Sequence, residues 1–240
     1  MSDRFTARRV GLRRRRWFRI LVAVLAVVVA ALVAWLVWFS SVLAVRSVEV
    51  DGLTTLTAAQ VRTVADVSTG EPLARADLTA IESRVEQMPR VRSAEVSRSW
   101  PRTVRIEVEE RTAVMWSEEG GEIHGIDRYG VDFRTYRKEP KGLVEARIDA
   151  LDAEVRLETT RAAAEVAELL RTSKPRWARQ VQAITGGSQD SITLDLSKGR
   201  TVVWGSPAQG ERKLEVLESL LTIDARGYDV SAPDQPTTKD

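Results

Sequence analysis

The sequence predicts an α+β protein in which one transmembrane helix precedes a β-α-α-β-β domain and then a mixed β-sheet domain with flanking helices. Three observations support this. One uncharged apolar run is long enough to cross a bilayer, several short segments alternate apolar and polar residues, and some longer segments repeat apolar residues at helical spacing. The predicted divisions are a stub at 1–19, a membrane helix at 20–42, domains at 45–112 and 113–232, and a disordered tail at 233–240.

The residue composition excludes several kinds of chemistry. The chain has 240 residues, no cysteine and a single histidine, His124. These counts exclude disulfide scaffolds, thiolate zinc sites, cysteine nucleophiles and multi-histidine metal centres. The motifs Ser-x-x-Lys, His-Glu-x-x-His and Gly-x-Ser-x-Gly are also missing from the sequence. We therefore expect a binding protein with no catalytic site, cofactor or metal, and keep a cell-wall enzyme as a less favoured alternative.

The apolar run from Ile20 to Phe39 contains twenty residues without a charge or a proline. At 1.5 Å per residue it spans about 30 Å, which is the thickness of the hydrocarbon core. Aromatic residues flank it on both sides, as is typical of membrane interfaces. The small residue Ala44 leaves a cleaved signal peptide as the alternative, but the apolar core is longer than such peptides carry. The sequence favours an uncleaved anchor.

Basic residues concentrate ahead of this run. Residues 1–19 hold eight arginines and one acid, which leaves 28 basic and 33 acidic residues in the rest of the chain. A mildly acidic main portion argues against nucleic-acid binding. Because arginine is retained on the cytoplasmic side, we expect a cytoplasmic N-terminus and an extracytoplasmic C-terminus. The residues expected to set this orientation are Arg13, Arg14, Arg15, Arg16 and Arg19.

The first domain is predicted from a short alternating strand and two helices. Val48 and Val50 mark the strand, and Thr57 with Gln60 gives the capping-box pattern of a helix start. An apolar stripe predicts the second helix, and two helices should cover one face of a small sheet and leave the other open. The stripe consists of Leu78, Ile81, Val85 and Met88.

A predicted β-hairpin completes this domain, with its turn at Trp100-Pro101. The order of strand, two helices and hairpin directly after one anchor is similar to a POTRA domain. The stretch 96–106, followed by the pair Glu110-Arg111, resembles the signature of the FtsQ/DivIB cell-division family, although Ala113 stands where that family often has proline. Within this signature we single out Arg98, Trp100 and Pro101. We expect Trp100 to be a packing anchor, and the alternative is a contact residue.

The second domain is predicted from further hairpins and two helices. The elements are a hairpin turning at Gly120-Gly121, a helix over about 152–170, a hairpin turning at Lys198-Gly199, a helix after Pro207 and a short final strand at 227–231. Pro233 and Pro236 are expected to prevent further pairing. The stretch 199–207, the leucine-rich helix that follows it and the closing segment 229–233 resemble the C-terminal half of the same family.

The resemblance implies a non-catalytic scaffold of the bacterial division machinery. Such a scaffold links early septal proteins to FtsB and FtsL, and indirectly to the septal peptidoglycan synthase pair FtsW and FtsI, in the plasma membrane at the division septum. We expect no small-molecule substrate. The alternative among binding proteins is a membrane-anchored transport or assembly factor of POTRA type, which would normally carry several POTRA repeats or a β-barrel.

The expected contact site is the final strand. Its residues are Gly227, Tyr228, Asp229, Val230 and Ser231. If this strand lies at a sheet edge, it can accept a strand from FtsB through main-chain hydrogen bonds. Side chains that point outward, with Tyr228 among them, would then select the partner; the alternative for Tyr228 is a core or rim aromatic.

Overall fold

The computed structural model describes residues 6–240, with side chains from residue 17 onward. Helix α1 spans Thr6–Phe39, so it starts within the basic stub and continues through the apolar run. The stretch Trp17–Phe39 is long and apolar enough to cross a membrane. Residues 1–5 of the predicted stub, and the side chains of Arg13 to Arg16, lie outside what the structure describes. Arg19 is exposed on α1.

The apolar helix ends three residues earlier than predicted. Ser40 stops α1 because it caps a short 3-10 turn at Ser41–Leu43, where its side chain accepts from the Val42 N–H at 3.1 Å. A side chain that satisfies a free backbone donor in this way is a common helix-boundary signal. The predicted boundary at Val42 is therefore corrected to Phe39.

The first domain has the predicted β-α-α-β-β order. Its three strands form a sheet in the order β1-β3-β2, with β1 parallel to β3 and β2 antiparallel to β3. A 3-10 turn at Leu73–Arg75 lies between the helices. The elements are β1 Ser47–Asp51, α2 Ala58–Ala65, α3 Leu78–Glu86, β2 Val91–Ser99 and β3 Thr103–Glu110.

One face of this sheet is covered and the other is open, as predicted. Thr57 caps the start of helix α2, with both hydrogen bonds of the capping box present. The helices bury Val61, Ala65, Ile81 and Val85 against alternate residues of β2 and β3. The opposite face is charged, with Arg105 and Glu49 3.2 Å apart. Burial of one face alone fixes the register of all three strands.

The carboxylate of Glu110 closes the loop that follows β1. It accepts hydrogen bonds from the backbone N–H groups of Thr54, Thr55 and Leu56 at 2.6 to 3.0 Å, and from the Thr55 hydroxyl at 2.6 Å. Burial by itself would raise the pKa of this carboxyl, but the hydrogen bonds from Thr55, Leu56 and Thr54 outweigh it and lower the pKa from 4.5 to about 2. Glu110 thus holds the end of β3 against the residues between β1 and α2.

The second domain is one nine-stranded mixed sheet in the order β12-β11-β10-β9-β8-β7-β4-β5-β6. Helices α4 and α5 bury their apolar faces in the same core as the inner side of the sheet, which includes Trp204, Tyr228 and Ile184. The elements are β4 Ala113–Glu119, β5 Glu122–Asp127, β6 Asp132–Tyr136, β7 Val144–Ile148, α4 Ala153–Ser173, β8 Val181–Gly186, β9 Ile192–Leu196, β10 Arg200–Gly205, α5 Gly210–Leu220, β11 Gly227–Asp229 and β12 Thr237–Lys239.

Two features of this domain differ from the sequence prediction. Strands β7 and β8 lie in a stretch that the alternation pattern did not resolve, and they connect the two predicted hairpins through parallel pairing of β4 with β7 and β7 with β8. The predicted disordered tail is also wrong, because Thr237–Lys239 forms β12 and pairs antiparallel with β11. Pro233 is buried in the connection between the two strands.

The Glu110 carboxylate gives a prediction about stability. Glu110→Gln should lower the free energy of unfolding by about 1 to 2 kcal/mol at neutral pH, since several charge-assisted hydrogen bonds weaken at a partly exposed site. Because the folded-state pKa is depressed, the difference from the unsubstituted chain should be constant above pH 4.5 and vanish as the pH falls toward 2. Denaturant unfolding at a series of pH values measures it.

Glu107→Gln is the matched control. Glu107 is exposed on the open face, opposite Asp51 and Glu95 on the neighbouring strands. Removing one of three facing carboxylates relieves repulsion, so this variant should lose no stability. An equal loss in both variants would show that Glu110 contributes only a surface charge.

Candidate strand-edge interface

The order of the nine-stranded sheet decides which backbone edge is open. Strand β11 lies inside the sheet, since it pairs parallel with β10 on one side and antiparallel with β12 on the other. The expectation that 227–231 is the edge strand is therefore wrong. The two edges of this sheet are β12 and β6.

Tyr228 belongs to the core and is only 2% exposed. Its hydroxyl donates to the Ile223 carbonyl at 2.8 Å. Tyr228 stands in register with Val202 of β10, which is also fully buried, so both side chains enter the face covered by the helices. Of the two interpretations from the sequence, the core aromatic is the one that the structure supports, and the outward contact is corrected.

The other residues of the expected site form a supporting strand and a turn. Gly227 pairs with both Thr201 and Lys239. Val230 is buried, and its N–H donates to the Val203 carbonyl at 3.0 Å. Ser231 is exposed just beyond the strand, where its N–H and hydroxyl donate to Asp229 Oδ1 at 2.9 and 2.6 Å. This turn redirects the chain so that it can return along β11.

The returning segment is held at two points before β12 begins. Gln235 N–H donates to the Ala232 carbonyl at 2.9 Å, which forms a turn around Pro233. Asp234 forms an ion pair with Arg212 of α5 at 2.6 Å. Both groups of that pair are largely exposed, so we expect it to contribute less than about 1 kcal/mol.

Strand β12 exposes all three of its side chains. The Lys239 carbonyl accepts from the Arg226 N–H at 3.0 Å, so the backbone groups of Lys239 turn toward β11. Because neighbouring residues of a strand turn their backbone groups to opposite sides, those of Thr238 point away from the sheet. Thr238 therefore offers a donor and an acceptor at an edge that has no strand beside it within residues 6–240.

A buried lysine stabilises the strands beside this edge. Lys213 of α5 is 1% exposed, and its Nζ donates to the carbonyls of Trp204 and Ser206 at 2.9 and 2.7 Å. Burial lowers the pKa of Lys213, and the charge of Asp229 on β11 opposes that shift. The sequence pattern did not predict this role, because a lysine among leucines in an amphipathic helix ordinarily faces water.

The opposite edge strand, β6, carries charged groups that join it to β5. His124 Nδ1 lies 2.7 Å from Asp132 Oδ2, so this ring links the two strands. The guanidinium of Arg134 lies 4.5 Å from the centre of the Tyr136 ring. Charged side chains along an edge reduce strand addition by other chains. Strand β6 carries two of them and β12 carries one, which makes β12 the better candidate for a strand-accepting edge.

The hairpin residues singled out from the sequence divide into one structural and two exposed positions. Arg98 donates from Nε to the Leu73 carbonyl at 2.9 Å and from Nη2 to the Ala76 carbonyl at 2.8 Å, so it caps the 3-10 turn between the helices. Trp100 is 52% exposed at the tip of the β2–β3 hairpin, beside the exposed Pro101. The expectation that Trp100 is a packing anchor is wrong.

The second half of the Glu110-Arg111 pair acts within the second domain. Arg111 Nη1 lies 2.6 Å from Oδ2 of Asp127, whose side chain is 2% exposed. Asp127 Oδ1 also accepts from the N–H groups of Tyr129 and Val131, each at 2.9 Å. A carboxylate that accepts from residues two and four positions later fixes the turn between β5 and β6. Glu110 and Arg111, which are adjacent in the sequence, thus stabilise the first and the second domain, respectively.

Comparison with known proteins finds the same family for both domains. The family model "POTRA domain, FtsQ-type" matches residues 43–111. Over 91% of its length the chain is 37% identical to the "Cell division protein FtsQ" of Streptomyces coelicolor, covering 86% of that protein. It is 36% identical to the protein of the same name from Streptomyces collinus, covering 97% of this chain and 91% of the relative. The protein of that name from Mycolicibacterium smegmatis is 38% identical over 90% of this chain and 63% of its own length.

The placement of Tyr228 can be tested by removing its hydroxyl. Tyr228→Phe should lower the free energy of unfolding by about 1 kcal/mol, because the part-buried Ile223 carbonyl loses its donor and the buried Ala225 N–H loses its acceptor. Affinity for a protein partner should not change. Denaturant unfolding and a binding assay measure the two effects separately. Tyr136→Phe is the control, since it removes a hydroxyl from the half-buried Tyr136 at the other edge. If Tyr228→Phe weakened partner binding and left the free energy of unfolding unchanged, the interpretation of Tyr228 as a contact residue would be restored.

Proposed function

This chain belongs to the FtsQ family of cell-division proteins, and we propose that it serves there as a non-enzymatic scaffold that binds its partners through open strand edges. In this proposal it links early division proteins to FtsB and FtsL, and through them to FtsW and FtsI, at the septum. The names of its relatives support division over the alternative of a transport or assembly factor. The proposal assigns no chemical step to any side chain.

The observation that carries this proposal is the open edge of β12. FtsB would add a strand beside Thr237–Lys239 and extend the nine-stranded sheet by one. The segment 227–231 then supports the contact instead of making it, since β11 and its turn hold β12 in place. Edge strands that are as short as β12 and contain a lysine resist non-specific strand addition. A partner therefore needs side-chain contacts of its own to bind here.

The proposed orientation follows from charge. The arginine-rich residues 1–19 would stay in the cytoplasm, α1 would cross the membrane once through 17–39, and both folded domains would lie outside. This places β12 where the extracytoplasmic parts of other division proteins can reach it. It also requires that α1 remains attached to the domains.

Thr238→Pro tests the edge directly. Proline removes the backbone donor that faces away from the sheet but leaves the inward-facing donors of its neighbours in place. We expect the affinity of the full-length chain for the FtsB ectodomain to fall about tenfold, which corresponds to one lost backbone hydrogen bond. The binding curve is measured with the chain reconstituted in lipid nanodiscs.

Thr238→Val is the matched control, because it changes the same side chain and retains the backbone donor. The valine variant should bind normally and restore septation in cells depleted of the native protein. A fluorescent fusion of this variant should be enriched at midcell. Cells that carry the proline variant should grow as filaments without septa. Equal binding by both variants would reject β12 as the edge, and uniform distribution around the cell would reject the division role.

The orientation is tested with single introduced cysteines. No native cysteine has to be replaced first, because the chain contains none. In intact cells, a membrane-impermeant maleimide should label Asp190→Cys on the exposed β8–β9 connection and should not label Ser2→Cys. After lysis both should be labelled at the full mass of 26.7 kDa. Labelling of Ser2→Cys in intact cells would reverse the topology. A shortened, unlabelled Ser2→Cys chain would identify a cleaved signal peptide.

A further inference from the structure

The tip of the β2–β3 hairpin lies at the end of the apolar helix. Strand β1 runs parallel to β3, with Ser47 opposite Thr103, so the residues just before each strand come together. Arg102 Nε donates to the Val42 carbonyl at 2.7 Å, and the Arg46 N–H donates to the Arg102 carbonyl at 2.9 Å. Val42 is only three residues beyond the end of α1. If α1 spans a membrane, the hairpin tip lies at its surface.

An unburied tryptophan occupies this tip. Trp100 is 52% exposed, although large aromatic side chains are usually buried on folding. The end of α1 carries two further exposed aromatic residues, Trp38 at 54% and Phe39 at 66%. Indole rings favour the headgroup region, where the apolar ring and the polar N–H are both satisfied. The hairpin tip and the helix end thus present aromatic groups at the same level of the molecule.

Three arginines surround these aromatic groups. The guanidinium of Arg75 lies 6.0 Å from the centre of the Phe39 ring, and Arg46 and Arg102 lie beside the hairpin tip. None of the three forms an ion pair within the part of the chain whose side chains are described. Two exposed carboxylates lie nearby: Glu71, whose carbonyl accepts from the Val45 N–H, and Asp77, which caps α3 next to the Ala76 carbonyl that Arg98 binds. With Arg98 the arginines number four against these two carboxylates, so this end of the domain is positive.

The far end of the same domain carries the opposite charge. Asp51, Glu107 and Glu95 stand side by side on the three strands. Arg90 adds a positive charge at this end, but the nearby Arg92 is already paired with Glu109. An anionic surface would attract the arginine end and repel this row of carboxylates.

We propose that the β2–β3 hairpin tip docks on anionic lipid headgroups of the membrane that α1 spans, with Trp100 inserted at headgroup level and Arg46 and Arg75 paired with phosphates. The proposal depends on α1 crossing the membrane and does not depend on any partner at β12. A lipid surface is favoured over a protein because the three-residue tether keeps it within reach at all times. Docking would restrict the first domain to one orientation on the membrane.

Electron paramagnetic resonance on the full-length chain tests this. A nitroxide at Ser99→Cys reports on the hairpin tip, and one at Gln87→Cys reports on the exposed loop between α3 and β2 at the far end. The chain is reconstituted in vesicles of phosphatidylcholine with or without phosphatidylglycerol. Collision with oxygen, which partitions into lipid, and with a nickel complex, which stays in water, gives the depth of each label. The Ser99→Cys label should lie at headgroup depth with phosphatidylglycerol present, and the Gln87→Cys label in water.

Variants identify the groups responsible. Arg46→Gln and Arg75→Gln should each lower the equilibrium constant for docking about fivefold, which corresponds to about 1 kcal/mol per arginine near an anionic surface. Trp100→Gln should move the Ser99→Cys label toward water in both kinds of vesicle. The Gln87→Cys label should keep its line shape in every variant, which confirms that the domain remains folded.

Two results would overturn the proposal. The first is a Ser99→Cys label that is as water-accessible as the Gln87→Cys label in vesicles of either composition. The second is a label at headgroup depth whose position does not respond to the arginine and tryptophan variants, because the tether alone would then explain it. Since the vesicles contain no other protein, neither result depends on FtsB binding, so the test is separate from that of the proposed function.

Discussion

Backbone pairing is the constraint on which both domains depend. Each strand must satisfy its N–H and C=O groups, and within the described residues the nine-stranded sheet does so until it reaches β12 and β6. Side chains of β11 that could have selected a partner are used instead to build the core, as Tyr228 shows. What remains for recognition is mainly the backbone of the outermost strand. A protein that binds by strand addition requires such an arrangement, since its main chain supplies the affinity.

The edge is useful only if the strands behind it are rigid. Burying the Lys213 ammonium is unfavourable in itself, but the carbonyls of Trp204 and Ser206 would lack a donor without it. The lysine thereby fixes α5 to the end of β10, the strand against which β11 pairs. A preformed edge lowers the cost of ordering this chain's side of the contact when a partner strand binds. This buried cation in the core therefore contributes indirectly to a contact at the surface.

The sequence predicted the features that depend on local pattern. The apolar run, the capping box at Thr57, the hairpin turn at Trp100-Pro101 and the order of elements in the first domain all follow from spacing along the chain. It failed for β12 because proline prevents pairing only at its own position, and the three residues after Pro236 pair with a strand whose selection depends on the tertiary fold. For Tyr228 the sequence predicted the strand but not which of its side chains face the core. A shift of one residue exchanges the two faces of a strand.

The position of the hairpin tip has a consequence for the edges of the first domain. Strands β1 and β3 start at the tip and run away from it, while β2 runs toward it. Five residues of β1 extend about 16 Å, which is longer than the Debye length at physiological salt. With the tip docked, the open backbone edges of β1 and β2 would rise out of the headgroup layer toward the carboxylate end of the domain. Docking by the arginine end would thus keep the strand edges accessible, whereas docking by the open sheet face would bring Glu49, Glu95 and Glu107 against anionic lipid.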